Sequence, residues 1–275
     1  RTLAHGAYHE ILISPSLVMR PFLLACLVLT SNALCAQGLE NVVVETYAVT
    51  PGKSATDPAL TTYRIYVDLA PGYRLQMVYG DKMHQLRIKT TTEFFNDTEH
   101  GDKFGNRINA DRLNTWPLAL DSWLTIGAAS DRHMGVPRYL DTDGSVLECP
   151  PYPDANVLRP SAAGDALKPL CIVDGLKADT AVQDVVDFKF ASGYLGTVRG
   201  NELETTDGAW AVLGGIPGMT EENMVLIAQL TTTGKLSFAL NVQVGAPDRS
   251  VEKYVASVPM HGERTFEGLT FPALH

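Results

Sequence analysis

The chain has 275 residues, 22 Lys and Arg against 31 Asp and Glu, and a formal net charge of −9. That balance, spread without a long single-sign run, speaks against DNA, RNA or an anionic membrane surface as partner, because neutralising phosphates needs clustered cations. Residues 37–275 are numerous enough to bury a substantial core, in one large β-sandwich or in two small domains.

From the N-terminus, residues 1–18 precede Met19 and are expected to be an upstream artefact, so His5, His9 and Glu10 enter no functional argument. Residues 19–36 carry the three parts of a secretory signal peptide. These are a cationic start at Arg20, an apolar run over 22–29, and small residues at Ala33, Cys35 and Ala36. Cleavage is expected before Ala36 or Gln37. The apolar run falls short of the roughly 20 residues that span a bilayer, so no transmembrane anchor is expected in the mature chain. The expected location is secreted or at the cell surface.

From Val42 onward apolar residues alternate with polar ones. The clearest stretch sets Tyr63, Ile65, Val67 and Leu69 on one face and Arg64, Tyr66 and Asp68 on the other, which predicts a half-buried strand. Similar patterns predict strands at 75–79, 86–91, 123–126, 185–190, 194–198, 225–230 and 236–244. The last two read as arms of a hairpin, with Gly234 supplying a positive φ in the turn. No 15-residue window carries the period of a long amphipathic helix, and 220–223 suggests at most one capped turn. Residues 97–118 and 131–170 are rich in Gly, Asn, Asp and Pro and are read as long loops crossing one end of a sandwich, where binding usually sits. The expectation is an all-β, antiparallel, jelly-roll-like β-sandwich in one domain, 37–275, with long loops and little helix.

Cys26 and Cys35 lie in the signal, leaving Cys149 and Cys171. In an oxidising compartment these are expected to form a disulfide closing a Pro-rich loop of about 22 residues, contributing roughly 3 kcal/mol. Two free thiols or a partial metal site are the alternatives.

Five segments, TYRIYVD (62–68), VYG (78–80), TTTEFFN (90–96), LDSWLTIG (120–127) and VLIAQLTTTGKLSFALN (225–241), together resemble the exported domain of a family of secreted proteins from marine bacteria, chiefly Bacteroidetes. The resemblance implies export and the extent of the domain. No activity, cofactor or site residue is assigned in that family, so none carries over.

Asp141 and Asp143, followed by Gly144, have the carboxylate spacing of a calcium loop, with Glu148 or Asp154 as further donors. An EF-hand register would put Tyr139 first and Pro150 last, which excludes that loop, and an ordinary Asp-Gly turn competes with the calcium reading. Apart from this structural calcium no cofactor is expected. There is no Gly-x-Ser-x-Gly elbow; Ser122, Asp131 and His133 are neighbours in sequence only; His84, His100 and His261 stand singly without zinc spacing. Paired acids of a glycoside hydrolase leave no local signature, so Asp187, Glu202 and Glu204 are examples rather than a choice. No catalytic residue is assigned. Trp123 and Trp210 sit in strand patterns and are expected in the core, whereas Trp116, before Pro117 in a loop, is the candidate for stacking on a sugar ring. The sequence therefore predicts a non-catalytic binding or structural module contacting glycan, matrix or a surface protein, with a hydrolase of extracellular polysaccharide as the rival.

Overall fold

Alternation over 39–69 builds the first pair of strands, β1 (Leu39–Thr50) and β2 (Leu60–Leu69), joined antiparallel. In this computed structural model the described residues are 37–50, 58–114, 117–142, 144, 146–147, 174–179, 182–189, 195 and 199–272. The strands that follow are β3 (Arg74–Tyr79), β4 (Leu86–Thr90), β5 (Trp123–Leu124), β6 (His133–Gly135), β7 (Leu176–Ala178) and β8 (Val186–Phe188). After them come β9 (Glu202–Thr205), β10 (Ala209–Ile216), β11 (Met224–Thr232), β12 (Leu236–Ala239), β13 (Asn241–Gly245), β14 (Val251–Val255), β15 (Glu263–Thr265) and β16 (Thr270–Phe271). Helix among the described residues is confined to single 3-10 turns such as Ala110–Arg112 and Arg138–Leu140.

The strands form an all-β, sandwich-like fold. One sheet runs β1-β2-β11-β5, a second β15-β14-β13-β3-β10-β8, a third β16-β12-β4-β9, and β6 pairs with β7. Among the described residues every strand pair is antiparallel except β14 with β15. The main core gathers Ile65, Val67 and Ile227 from the first sheet, Val78, Trp210 and Val242 from the second, and Ile88 and Phe238 from the third. Water is excluded between sheets whose alternate side chains meet, the dominant favourable contribution in folds of this kind.

Five expectations need correction. The predicted half-buried strand, β2, has no exposed residue: Arg64 and Tyr66 are 2% and 0% exposed. The reason is a further layer. Outside β5, the described residues between 105 and 147 lie over the outer face of the first sheet, and a second core of Tyr66, Ile108, Leu118, Trp123, Leu176 and Leu226 is enclosed there. The described parts of the long loops thus cover a face of the sandwich instead of crossing one end.

The predicted hairpin does not form either. β11 lies between β2 and β5, β12 between β16 and β4, and residues 233–235 turn a corner between sheets. β11 is buried along all nine residues and both its edges are occupied, which leaves no edge for β12. Gly234 is not among the positive-φ glycines. A Cβ there would stand 2.6 Å from the Thr92 amide nitrogen and from Thr91 Oγ1, so close approach, not backbone handedness, calls for glycine. Finally, the pattern at 236–244 continues in sequence but breaks at Leu240, whose amide bonds the Leu269 carbonyl at 2.9 Å, and the chain passes into the second sheet as β13.

Trp123 and Trp210 are buried as expected, at 2% and 0% exposure, and the Trp210 indole N–H donates to the Thr125 carbonyl at 2.9 Å. Of the predicted strand 194–198 only Leu195 lies within the described residues.

Candidate functional site

The loop layer is held on the first sheet by buried polar side chains. Arg64, on β2, points out of the main core; its Nε donates to Gln229 Oε1 at 2.9 Å and its Nη1 to the Gly175 carbonyl at 3.0 Å. The guanidinium stacks 3.6 Å from the centre of the Tyr47 ring. Gln229 in turn donates to the Ala119 and Asp121 carbonyls at 3.1 and 2.9 Å, and Tyr47 donates its hydroxyl to the Asp174 carbonyl at 2.6 Å. The fully buried Asp174 carboxylate accepts the amides of Val146, Leu147 and Leu176. Burial pushes the Tyr47 hydroxyl up to about 12 and also raises Glu45, whose carboxyl takes the Arg138 amide at 2.9 Å. A small cavity lined by Tyr47, Arg64, Trp123 and Gln229 leaves about 10 Å³ open to water centres, room for about one water molecule.

A second tie is Asp121, fully buried, whose two oxygens accept the amides of Asp97 at 2.8 Å and Asp102 at 3.1 Å. Burial, opposed by those amides, pushes its carboxyl up to about 8. These groups turn inward and serve the loop layer, which leaves Arg107, Asn109, Arg112, Asn114 and Tyr139 exposed on it.

The residues singled out in the sequence are mostly kept apart. Asp141 accepts the Gly175 amide at 2.7 Å; Asp143, Trp116, Cys149 and Cys171 lie outside the described residues. Among the described residues no group of three or more His, Cys, Asp or Glu could hold a metal ion. Ser122 accepts the Thr231 amide at 2.9 Å, Asp131 accepts the Ala110 amide at 3.0 Å, and His133 bonds Ser130 at 2.7 Å, so these three do not form a triad. Asp187 pairs with Lys103, Glu202 with Arg87 and Lys89, and Glu204 accepts from Gln85 at 3.0 Å.

One constellation escaped the sequence. His84, 2% exposed, meets two residues of one segment remote from it in the chain: its Nδ1 is 2.9 Å from Ser257 Oγ and its Nε2 is 2.6 Å from Glu263 Oε2. The β3–β4 connection brings in the histidine through a tight turn in which Asp81 Oδ1 accepts the amides of Met83 and His84 at 2.8 and 2.9 Å. The connection from β14 to β15 brings in the other two. Parallel neighbours need a return path, and this one has only seven residues, so it bends out past the sheet and exposes Ser257. Asn241, 1% exposed, pins both segments, donating to the carbonyls of Tyr79 and His84 at 3.0 Å each and accepting the Ala256 amide at 3.2 Å. Glu263 is fixed in turn by the Met260 amide at 2.9 Å. No family model, curated protein or solved structure matches this chain. The Ser257–His84–Glu263 geometry therefore has to be read on its own chemistry. Sequence separations of 173 and 179 residues explain why no local motif announced it.

No helix among the described residues is long and apolar enough to cross a membrane.

Proposed function

We propose that the chain is an exported β-sandwich module of the cell envelope or extracellular space that binds glycan, matrix or a surface protein through its loop layer. The signal-like segment 19–36 supports export, and the cysteines at 149 and 171 fit an oxidising compartment. The observation that carries the binding reading is the fixing of the described part of the loop layer by buried side chains, because a surface held in one shape before contact loses little entropy on binding. Tyr139, 67% exposed on that layer, offers a ring for sugar stacking, and Arg107, Asn109, Arg112 and Asn114 are exposed elsewhere on the layer.

Retention of the purified chain on a panel of polysaccharides, peptidoglycan and whole bacterial cells tests this. The expected result is retention that Tyr139→Ala weakens about fivefold, equivalent to about 1 kcal/mol of ring contact. Retention on no member of the panel removes the glycan version.

A second reading, a hydrolase of extracellular polymer, is favoured by one observation, the Ser257–His84–Glu263 geometry. The chemistry of that set is acyl transfer; glycosidic cleavage calls for a pair of free carboxyls, and Glu202, Glu204 and Asp187 are each engaged by a neighbour.

A further inference from the structure

We propose that Ser257 is a nucleophile activated by His84 and oriented through Glu263, and that the site takes esters with an uncharged, apolar acyl group. The proposal rests on the second reading above and gives it a substrate class.

With the Glu263 carboxylate 2.6 Å from Nε2, the imidazole carries its proton on that nitrogen and turns the Nδ1 lone pair toward the Ser257 hydroxyl at 2.9 Å. That is the division of roles an activated serine needs: nucleophile, base, and a third group fixing the base. The ring presents Nδ1 rather than Nε2 to the hydroxyl, so the base lies closer to its own backbone and the serine comes to it along the bend at 256–258. Burial is graded in the useful direction. His84 is 2% and Glu263 10% exposed, while Ser257 is open to solvent and to a substrate. The amide of Val258, the residue after the serine, has no hydrogen-bond partner among the described residues, and it occupies the position from which acyl-transfer sites draw one oxyanion donor.

The substrate class follows from the rim. Met83, Val258 and Met260, next in sequence to His84, Ser257 and the turn before Glu263, are 63%, 83% and 51% exposed. Three exposed apolar side chains on the two segments that carry the set favour an apolar acyl chain over a charged one.

In the step proposed, Ser257 Oγ forms a bond to the acyl carbon as its proton passes to His84 Nδ1. The carbonyl π pair moves to oxygen and returns as the C–O bond to the alcohol breaks, and the alcohol leaves with the proton from Nδ1. Water then repeats the sequence on the acyl-serine, releasing the acid and restoring the hydroxyl. Ser257 and His84 are the catalytic residues and Glu263 is a positioning residue.

A fluorophosphonate probe, read by peptide mass spectrometry on the purified chain, tests the site, with p-nitrophenyl esters from acetate to octanoate testing the class. The expected results are an adduct at Ser257, none in Ser257→Ala, and labelling slowed about a hundredfold in Glu263→Gln at an unchanged unfolding midpoint. Turnover should rise from acetate to octanoate. Absence of the adduct in folded protein overturns the proposal, as does equal labelling of Glu263→Gln. Hydrolysis of an extracellular polymer that survives in Ser257→Ala also overturns it, while leaving the hydrolase reading in place; polymer binding with no adduct removes both.

Discussion

Asp174 shows how one buried carboxylate can hold a layer in place. Its side chain accepts three backbone amides from two segments, 146–147 and 176, and its carbonyl takes the Tyr47 hydroxyl. Removing the acceptor leaves those amides without a partner in a dry interior, where each costs about 1–3 kcal/mol. Asp174→Ala should therefore lower unfolding free energy by about 3 kcal/mol or more in urea titration, and a loss under 1 kcal/mol would show that the layer is held elsewhere. Asp121 supplies a pH signature. Its folded carboxyl titrates at about 8 and an unfolded Asp at about 4, so the native state keeps its proton over a range where the unfolded chain has lost it. The resulting stabilisation is complete below about pH 4 and is lost as pH rises toward 8. The urea midpoint of the wild type should fall over that interval and that of Asp121→Asn should be lower but flatter; parallel profiles would contradict the assignment. None of these inward-facing roles was legible in the sequence. Arg64 and Tyr66 read as the wet side of β2 because alternation reports two faces without saying what covers either. The positions of Trp123 and Trp210 were legible, since strand-patterned tryptophans have few alternatives to burial.

At the scale of elements, period-2 patterning located β3, β4, β11 and the β12–β13 run to within a residue or two and β2 to within three, because a pleated ribbon with a dry face leaves its period in the chain. Pairing was another matter. Residues 224–244 carry every local sign of a hairpin, yet β11 is claimed on both edges by β2 and β5, and only contacts between remote segments decide that competition. The glycine at the corner records the outcome: at position 234 an added methyl meets the Thr92 amide nitrogen and Thr91 Oγ1 at 2.6 Å. Gly234→Ala should cost about 1–3 kcal/mol through displaced backbone, read as a lowered urea midpoint. An unchanged midpoint would mean that the corner has room to move. Short strands such as β9, β14 and β15 were missed for a simpler reason: three to five residues with at most two buried side chains carry too little period to stand out.

Across the described residues, the sheets enclose one core and the loop layer a second, so β2 and β11 at the centre of the first sheet have no exposed residue and the loops behave as structure. Long insertions rich in Gly, Asn and Asp read as loops because they lack a period, and what orders them is a set of side chain to backbone bonds with no period to detect. The same limit hid the Ser257–His84–Glu263 set, whose members come from opposite ends of the second sheet's chain path. An ordered loop layer, made of the described residues of 97–147 and 174–178, underlies both the proposed binding surface and the two predictions made for Asp174 and Asp121. Amide hydrogen exchange of the full chain tests it most directly. The amides of Asp97, Leu147 and Gly175, held by Asp121, Asp174 and Asp141, should exchange as slowly as those in the middle of β2 and β11. Exchange of these three at the rate of free peptide, with β2 and β11 still protected, would contradict the account.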